Sequence, residues 1–209
     1  AVDVQIVCRA LGVKSLAIQG KPVSSGSVRP CLRAAPLGWF WAMRFAPLAH
    51  EGLAAQFADH SIIRRYLAVC AGHPNPSSGT VSGRLGRSDR DRKKMAVLPD
   101  TSNRGKHAVT HYRTTDSFGV ASILECRLET GRTHQVRVHC ASIGHPLLGD
   151  PQYGRDPKAL RPILEKLGFH RQALHAASLG FIHPATGERV HFQADLPRDM
   201  AELIDEIAR

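Results

Sequence analysis

The chain has 209 residues, 43% hydrophobic and 22% charged, a balance that lets one domain bury a core and excludes a collagen, a coiled coil or a disordered tail. Lysine and arginine number 28 against 18 acids, so the net charge is +10 before 12 histidines are counted. A domain this basic points to a polyanion, nucleic acid first, because each neutralised phosphate releases counterions; a solvated basic surface without a partner is the plainer alternative. The 5 cysteines (Cys8, Cys31, Cys70, Cys126, Cys140) are odd in number and irregularly spaced, which supports neither a metal site nor a disulfide framework. The apolar run Trp39–Met43 is far shorter than the ~20 residues that cross a bilayer. With no leader pattern at the start of the sequence, the expected setting is the cytoplasm, away from membranes.

In chain order, residues 1–47 and 48–209 do not read alike. Between Val4 and His50 there is no Asp or Glu, whereas Arg9, Lys14, Lys21, Arg29, Arg33 and Arg44 are basic. Apolar periodicity is poor there, and Gly20, Pro22, Gly26 and Pro30 break it further. Residues 1–47 therefore read as an atypical, disrupted N-terminal segment of the domain that 48–209 carries. The spacing of Leu48, Leu53 and Phe57 predicts a helix over 48–58, and a strand follows over 65–70, stopped by Gly72 and Pro74. Residues 73–79, rich in Pro, Ser and Asn, read as a loop. Arg84, Arg87, Arg90, Arg92, Lys93 and Lys94 come next, either a solvated face or a loop that contacts phosphates. Strands are expected at 109–112 and 121–128, a helix at 133–142, and short amphipathic helices at 160–167 and 200–207. Segments 176–182 and 190–194 flank the turn His183–Gly187 and predict a hairpin. The class is α+β with an antiparallel bias.

Residues 128–154 read L-E-T-G-R-T-H-Q-V-R-V-H-C-A-S-I-G-H-P-L-L-G-D-P-Q-Y-G. Physically, a strand ends near Glu129, Gly131 permits a sharp turn, and Thr133 is placed to cap a helix. Arg132 and His134 then lie at the positive helix start, and Arg137 one turn in projects toward the same place. This run resembles the third signature of the RluA-type RNA pseudouridine synthases, nearest to the RluD-like branch that acts on large-subunit ribosomal RNA. The resemblance extends over about residues 48–209. It includes Ala49-His50, the strand Arg64-Arg65-Tyr66-Leu67-Ala68 (K/R-x-Y-x-A in the family), Arg171–Ala176 and the hairpin Phe181–Gly187.

The resemblance implies the pseudouridine synthase platform, a mixed, mainly antiparallel sheet with flanking helices and an RNA cleft. It implies an isomerase that converts uridine to pseudouridine in ribosomal RNA, with no cofactor and no metal, and a monomer is expected. Tyr66 matches the tyrosine that stacks on the target uracil and serves proton transfer, with a core strand tyrosine as the plainer alternative. Arg137 matches the arginine that pairs with the catalytic aspartate and lowers its pKa. Arg132, Thr133, His134 and Gln135 are expected to support this turn and contact RNA. From charge alone, Arg84, Arg87, Arg92 and Lys93 are the candidates for phosphate contact.

The family's nucleophile is an aspartate in a segment of the form H-R-L-D-x-x-T-S-G, which should fall near position 34. The residues at 29–41 are instead R-P-C-L-R-A-A-P-L-G-W-F-W, without a carboxylate. Read two bases later, the codons for Trp39-Phe40-Trp41 specify Val-Leu, and with suitable codons Ala35–Gly38 specifies Thr-Ser-Gly. A frame disruption or small deletion between about Cys31 and Pro47 would account for the missing acid. The nucleotides for residues 25–50 test this, and codons giving no Thr-Ser-Gly in another frame would exclude it. Two functions follow: a ribosomal RNA pseudouridine synthase damaged at one loop, or a non-catalytic RNA-binding protein that retains the platform. A carboxylate beside Arg137 discriminates them.

Overall fold

Alternation of apolar and polar residues, interrupted by short helices, builds one antiparallel sheet. A computed structural model of the chain describes residues 51–99 and 101–209. The acid-free stretch and its expected nucleophile lie outside the described residues. The strands are β1 (Ile63–Ala71), β2 (Ser78–Arg87), β3 (Met95–Leu98), β4 (Lys106–Phe118), β5 (Ala121–Leu128), β6 (Leu174–Ile182) and β7 (Arg189–Gln193). They form a 7-stranded sheet in the order β3-β2-β4-β5-β1-β6-β7. Each of these pairings is antiparallel, where the sequence reading had a mixed sheet with an antiparallel majority. The helices are α1 (residues 51–58), α2 (Gln135–Ser142), α3 (Arg161–Lys166) and α4 (Arg198–Ala208).

Side chains alternate across each strand, so the sheet has two chemically different faces. On the first face, Ala68 and Cys70 of β1 and Leu124, Cys126 and Leu128 of β5 pack with Val136 and Cys140 of α2. Helix α1 joins this face through Leu53 and Phe57, which pack with Ile62, Leu179 and Phe181. On the second face, Val69, Ala71, Ala121 and Ile123 meet Leu160 and Leu164 from in and beside α3, and Met200 and Leu203 of α4. Being covered on both sides, β1 is buried continuously from Ala68 to Ala71, although its first half alternates.

Strands β2 and β3 correct the sequence reading, which treated 73–79 as a loop and 84–94 as a basic run. Ser78 already belongs to β2, and Arg84 and Arg87 lie on that strand. Glycines hide it, since Gly79, Gly83 and Gly86 lower strand propensity. They are there for close approach. A Cβ on Gly79 would sit 2.9 Å from the Tyr112 hydroxyl, and one on Gly86 would sit 2.6 Å from a Leu98 methyl.

Candidate active site

The turn between β5 and α2 is held by one buried amide. Gln135 Oε1 accepts from the Thr130 hydroxyl (2.7 Å) and the Arg132 backbone N–H (2.9 Å). Its Nε2 donates to the Val109 carbonyl (2.9 Å) and the Thr110 hydroxyl (3.0 Å) on β4. Gln135 is therefore a strut with its amide directed into the protein, supporting the turn. Gly131 is required here because a Cβ would run into the guanidinium of Arg64. Arg64 is itself buried, donates to the Glu129 carbonyl (2.7 Å) and lies over the Phe57 ring at 5.5 Å.

Thr133 is exposed and does not cap the helix, contrary to the sequence reading. His134 is the N-cap, and no side chain caps the helix. His134 adopts φ 56°, a left-handed conformation that a non-glycine residue takes only when its surroundings hold it. Tyr153 does so. Its hydroxyl accepts from the Met95 backbone N–H (2.9 Å) and lies 3.0 Å from His134 Nδ1, with the two rings edge to face. The hydroxyl proton is thus available for Nδ1, which leaves the neutral imidazole with its N–H on Nε2. Burial, then the charge of Arg137, hold the His134 pKa below its ordinary value.

Arg137 is the centre of the site. Its Nε and Nη2 donate to the two oxygens of Asp150 at 2.8 and 2.7 Å, a bidentate pair buried under α2. Its guanidinium also lies 4.9 Å from the centroid of the Tyr153 ring. Asp150 is fully enclosed, and its Oδ1 accepts two further bonds, from the N–H groups of Gln152 (2.9 Å) and Tyr153 (3.1 Å). Burial pushes the Asp150 carboxyl up, but the bonds from Arg137 and the two backbone amides outweigh it and leave the pKa below the usual carboxylate range.

Asp150 is a carboxylate beside Arg137 that the sequence reading did not assign, and it is distinct from the nucleophile expected near position 34. It cannot attack a substrate, because it is shielded from solvent and held by four hydrogen bonds. Its signal in the sequence is the Gly149-Asp150 step that closes the same motif.

Tyr66 is half-buried on β1, where it pairs with Cys126 of β5 and packs against the cluster that contains Val136 of α2. Tyr66 and Arg137 therefore share the first face of the sheet. Arg87 lies on that face too, since it is an odd-numbered neighbour of Leu85, which packs with Val138 of α2. Arg92 and Lys93 are exposed in the turn after β2, and this turn is tied to the site. Gln152 Nε2 donates to the Lys93 carbonyl (3.1 Å), and Arg87 Nη1 donates to the Arg92 carbonyl (3.2 Å). Arg132 reaches back to the His107 carbonyl (3.1 Å). Arg84 does not join them, because its register with His107 places it on the opposite face.

A buried arginine clamped by a carboxylate, a strand tyrosine on the same side and exposed cations at the rim define the site of this α+β protein. The family model described as RNA pseudouridylate synthase matches residues 46–142. The chain is 61% identical over 155 residues to "Ribosomal large subunit pseudouridine synthase D" of Zymomonas mobilis, covering 74% of this chain and 48% of that protein. It is 46% identical over 162 residues to "Uncharacterized RNA pseudouridine synthase YlyB" of Bacillus subtilis, covering 78% of this chain and 50% of that one. Human RNA Pseudouridylate Synthase Domain Containing 1 superposes with a TM-score of 0.57 at 28% identity, over 70% of this chain and 60% of that one. The chain thus belongs to the RNA pseudouridylate synthase family, and it spans about half the length of the curated relatives it matches.

Proposed function

We propose that the chain is the catalytic platform of a pseudouridine synthase acting on large-subunit ribosomal RNA, with residues 48–209 forming the C-terminal portion of the catalytic domain. Tyr66 stacks on the target uracil, and Arg137 stands ready to pair with a catalytic aspartate. Arg132, Thr133 and His134 at the turn, with Arg87, Arg92 and Lys93 of the hairpin, contact the RNA backbone. The protein acts as a monomer in the cytoplasm. The observation that carries the reading is the 61% identity to a ribosomal large subunit pseudouridine synthase D over a stretch that includes the whole Arg137 motif. The clamped geometry of Arg137 supports it, because a pre-oriented guanidinium stabilises an anion without reorganising first.

A second reading, an RNA-binding protein that retains the platform without turnover, is favoured by one observation: no acid stands between Asp3 and Glu51. The synthase chemistry needs a carboxylate that is free to attack or deprotonate the ribose, and Asp150 is not free. Both readings require RNA selection, which competition binding tests. Unmodified large-subunit ribosomal RNA should bind more tightly than small-subunit ribosomal RNA or transfer RNA. Equal affinity for all three would contradict the assigned substrate.

A further inference from the structure

The second face of the sheet carries a charge pattern that the uridine site does not use. Arg65 of β1 and Arg127 of β5 are direct cross-strand partners, and both are exposed. Like charges placed opposite each other in a ladder destabilise it. No ion pair among the described residues relieves either arginine. The acids two residues to either side of Arg127 are already engaged, Glu129 by His111 at 2.6 Å and Glu125 by Arg113 at 3.6 Å.

The pattern extends across the sheet. Thr80, His111, Arg127, Arg65, Ser178 and Gln193 stand in one register line from β2 to β7. Arg84 and Arg113 lie on the same face beside that line, as their pairings with His107 and Glu125 show. Alternation sets this face opposite to Tyr66 and α2, because Tyr66 and Cys126, the neighbours of Arg65 and Arg127, point to the first face. Helices α3 and α4 cover the other half of the second face, over Val69 and Ile123, and stop short of the two arginines.

We propose that Arg65 and Arg127 form the centre of a second RNA-backbone contact, on the sheet face opposite the uridine site. The occupant follows from charge complementarity. Arginines flanked by hydroxyl and amide side chains suit phosphate oxygens, which position an RNA without reading its sequence. An apolar or cationic partner would leave the facing pair uncompensated. The two faces together let one RNA be gripped around the sheet edge at β2 and β3, where Arg87 lies on one side and Arg84 on the other. The inference rests on the proposed RNA substrate and adds a site to it.

The test measures binding of the chain to an in vitro transcript of large-subunit ribosomal RNA across a salt series. Arg65→Gln with Arg127→Gln should make the slope of log affinity against log salt shallower by about 1.4 to 1.8, two phosphate contacts' worth, with each single variant showing about half. Arg65→Lys with Arg127→Lys, which keeps the charges, should keep the slope. The melting temperature of the glutamine pair should not fall, because a repulsion has been removed. Arg198→Gln with Arg209→Gln, at the two ends of helix α4, serves as the control. A wild-type slope in the glutamine pair, or an equal loss in the control pair, overturns the second contact and leaves the proposed function standing. No binding by the wild-type chain overturns both.

Discussion

Asp150 and Arg137 form a buried pair whose value lies in orientation. Taking two charges out of water is costly, and the four hydrogen bonds to the carboxylate are what make the burial tolerable. Asp150→Asn should therefore cost about 3 kcal/mol in chemical denaturation, because it leaves the guanidinium buried against a neutral amide. Because the folded-state pKa of Asp150 lies below its unfolded value, its contribution is present above the ordinary carboxylate range and is lost as pH falls through the folded pKa. His139 titrates in a different window. It is buried on α2 with Nδ1 3.0 Å from the Thr110 hydroxyl, and burial lowers its pKa from 6.5 to about 4. The unfolded chain binds the proton more tightly, so stability should fall as pH drops from 6.5 toward 4, by up to about 3 kcal/mol at the lower end. His139→Asn should flatten the pH dependence of the melting temperature in that window, and an unchanged profile would contradict the assignment. At this scale Arg137 was legible from its motif. The carboxylate beside it was not, since the pairing is made across a turn 13 residues away.

Among the elements, the hairpin of β2 and β3 joins charge to site. Tyr153 accepts from Met95 N–H at the start of β3 and contacts His134 at the start of α2, so one hydroxyl links the basic turn to the helix that carries Arg137. Tyr153→Phe keeps the ring against Arg137 and removes only that link. It should cost about 1 kcal/mol and expose the Met95 amide to hydrogen exchange, with weaker RNA binding as Arg92 and Lys93 lose their position. Unchanged protection at Met95 would show that the hairpin is held elsewhere. The strands with dense β-branched or aliphatic residues, such as β1 and β5, were readable from composition. In β2 the glycines that admit Tyr112 and Leu98 erase the same signal. The start of α2 was misread at Thr133 because the turn is held by Gln135 and Tyr153, whose partners on β4 and β3 are distant in sequence.

Over the described residues, exposed arginines stand on both faces of one sheet, Arg87 on one and Arg65, Arg84 and Arg127 on the other. One face holds Tyr66, Arg137 and the tied hairpin, and the other holds the opposed pair Arg65 and Arg127. Net charge alone announced an anionic partner, but the division became visible only with strand register, because shifting a strand by one residue moves its whole set of side chains to the other face. The guanidinium of Arg137 is pre-set by Asp150, and the sequence near position 34 supplies no second carboxylate to meet it. The most direct measurement is pseudouridine formation in unmodified large-subunit ribosomal RNA by this chain, with RNA binding followed in the same preparation. It should be run beside a version whose residues 29–41 are replaced by a segment bearing H-R-L-D-x-x-T-S-G. Binding by both, with turnover only in the second, is the predicted result. Turnover by the unaltered chain would mean that another acid serves Arg137 and would contradict the account.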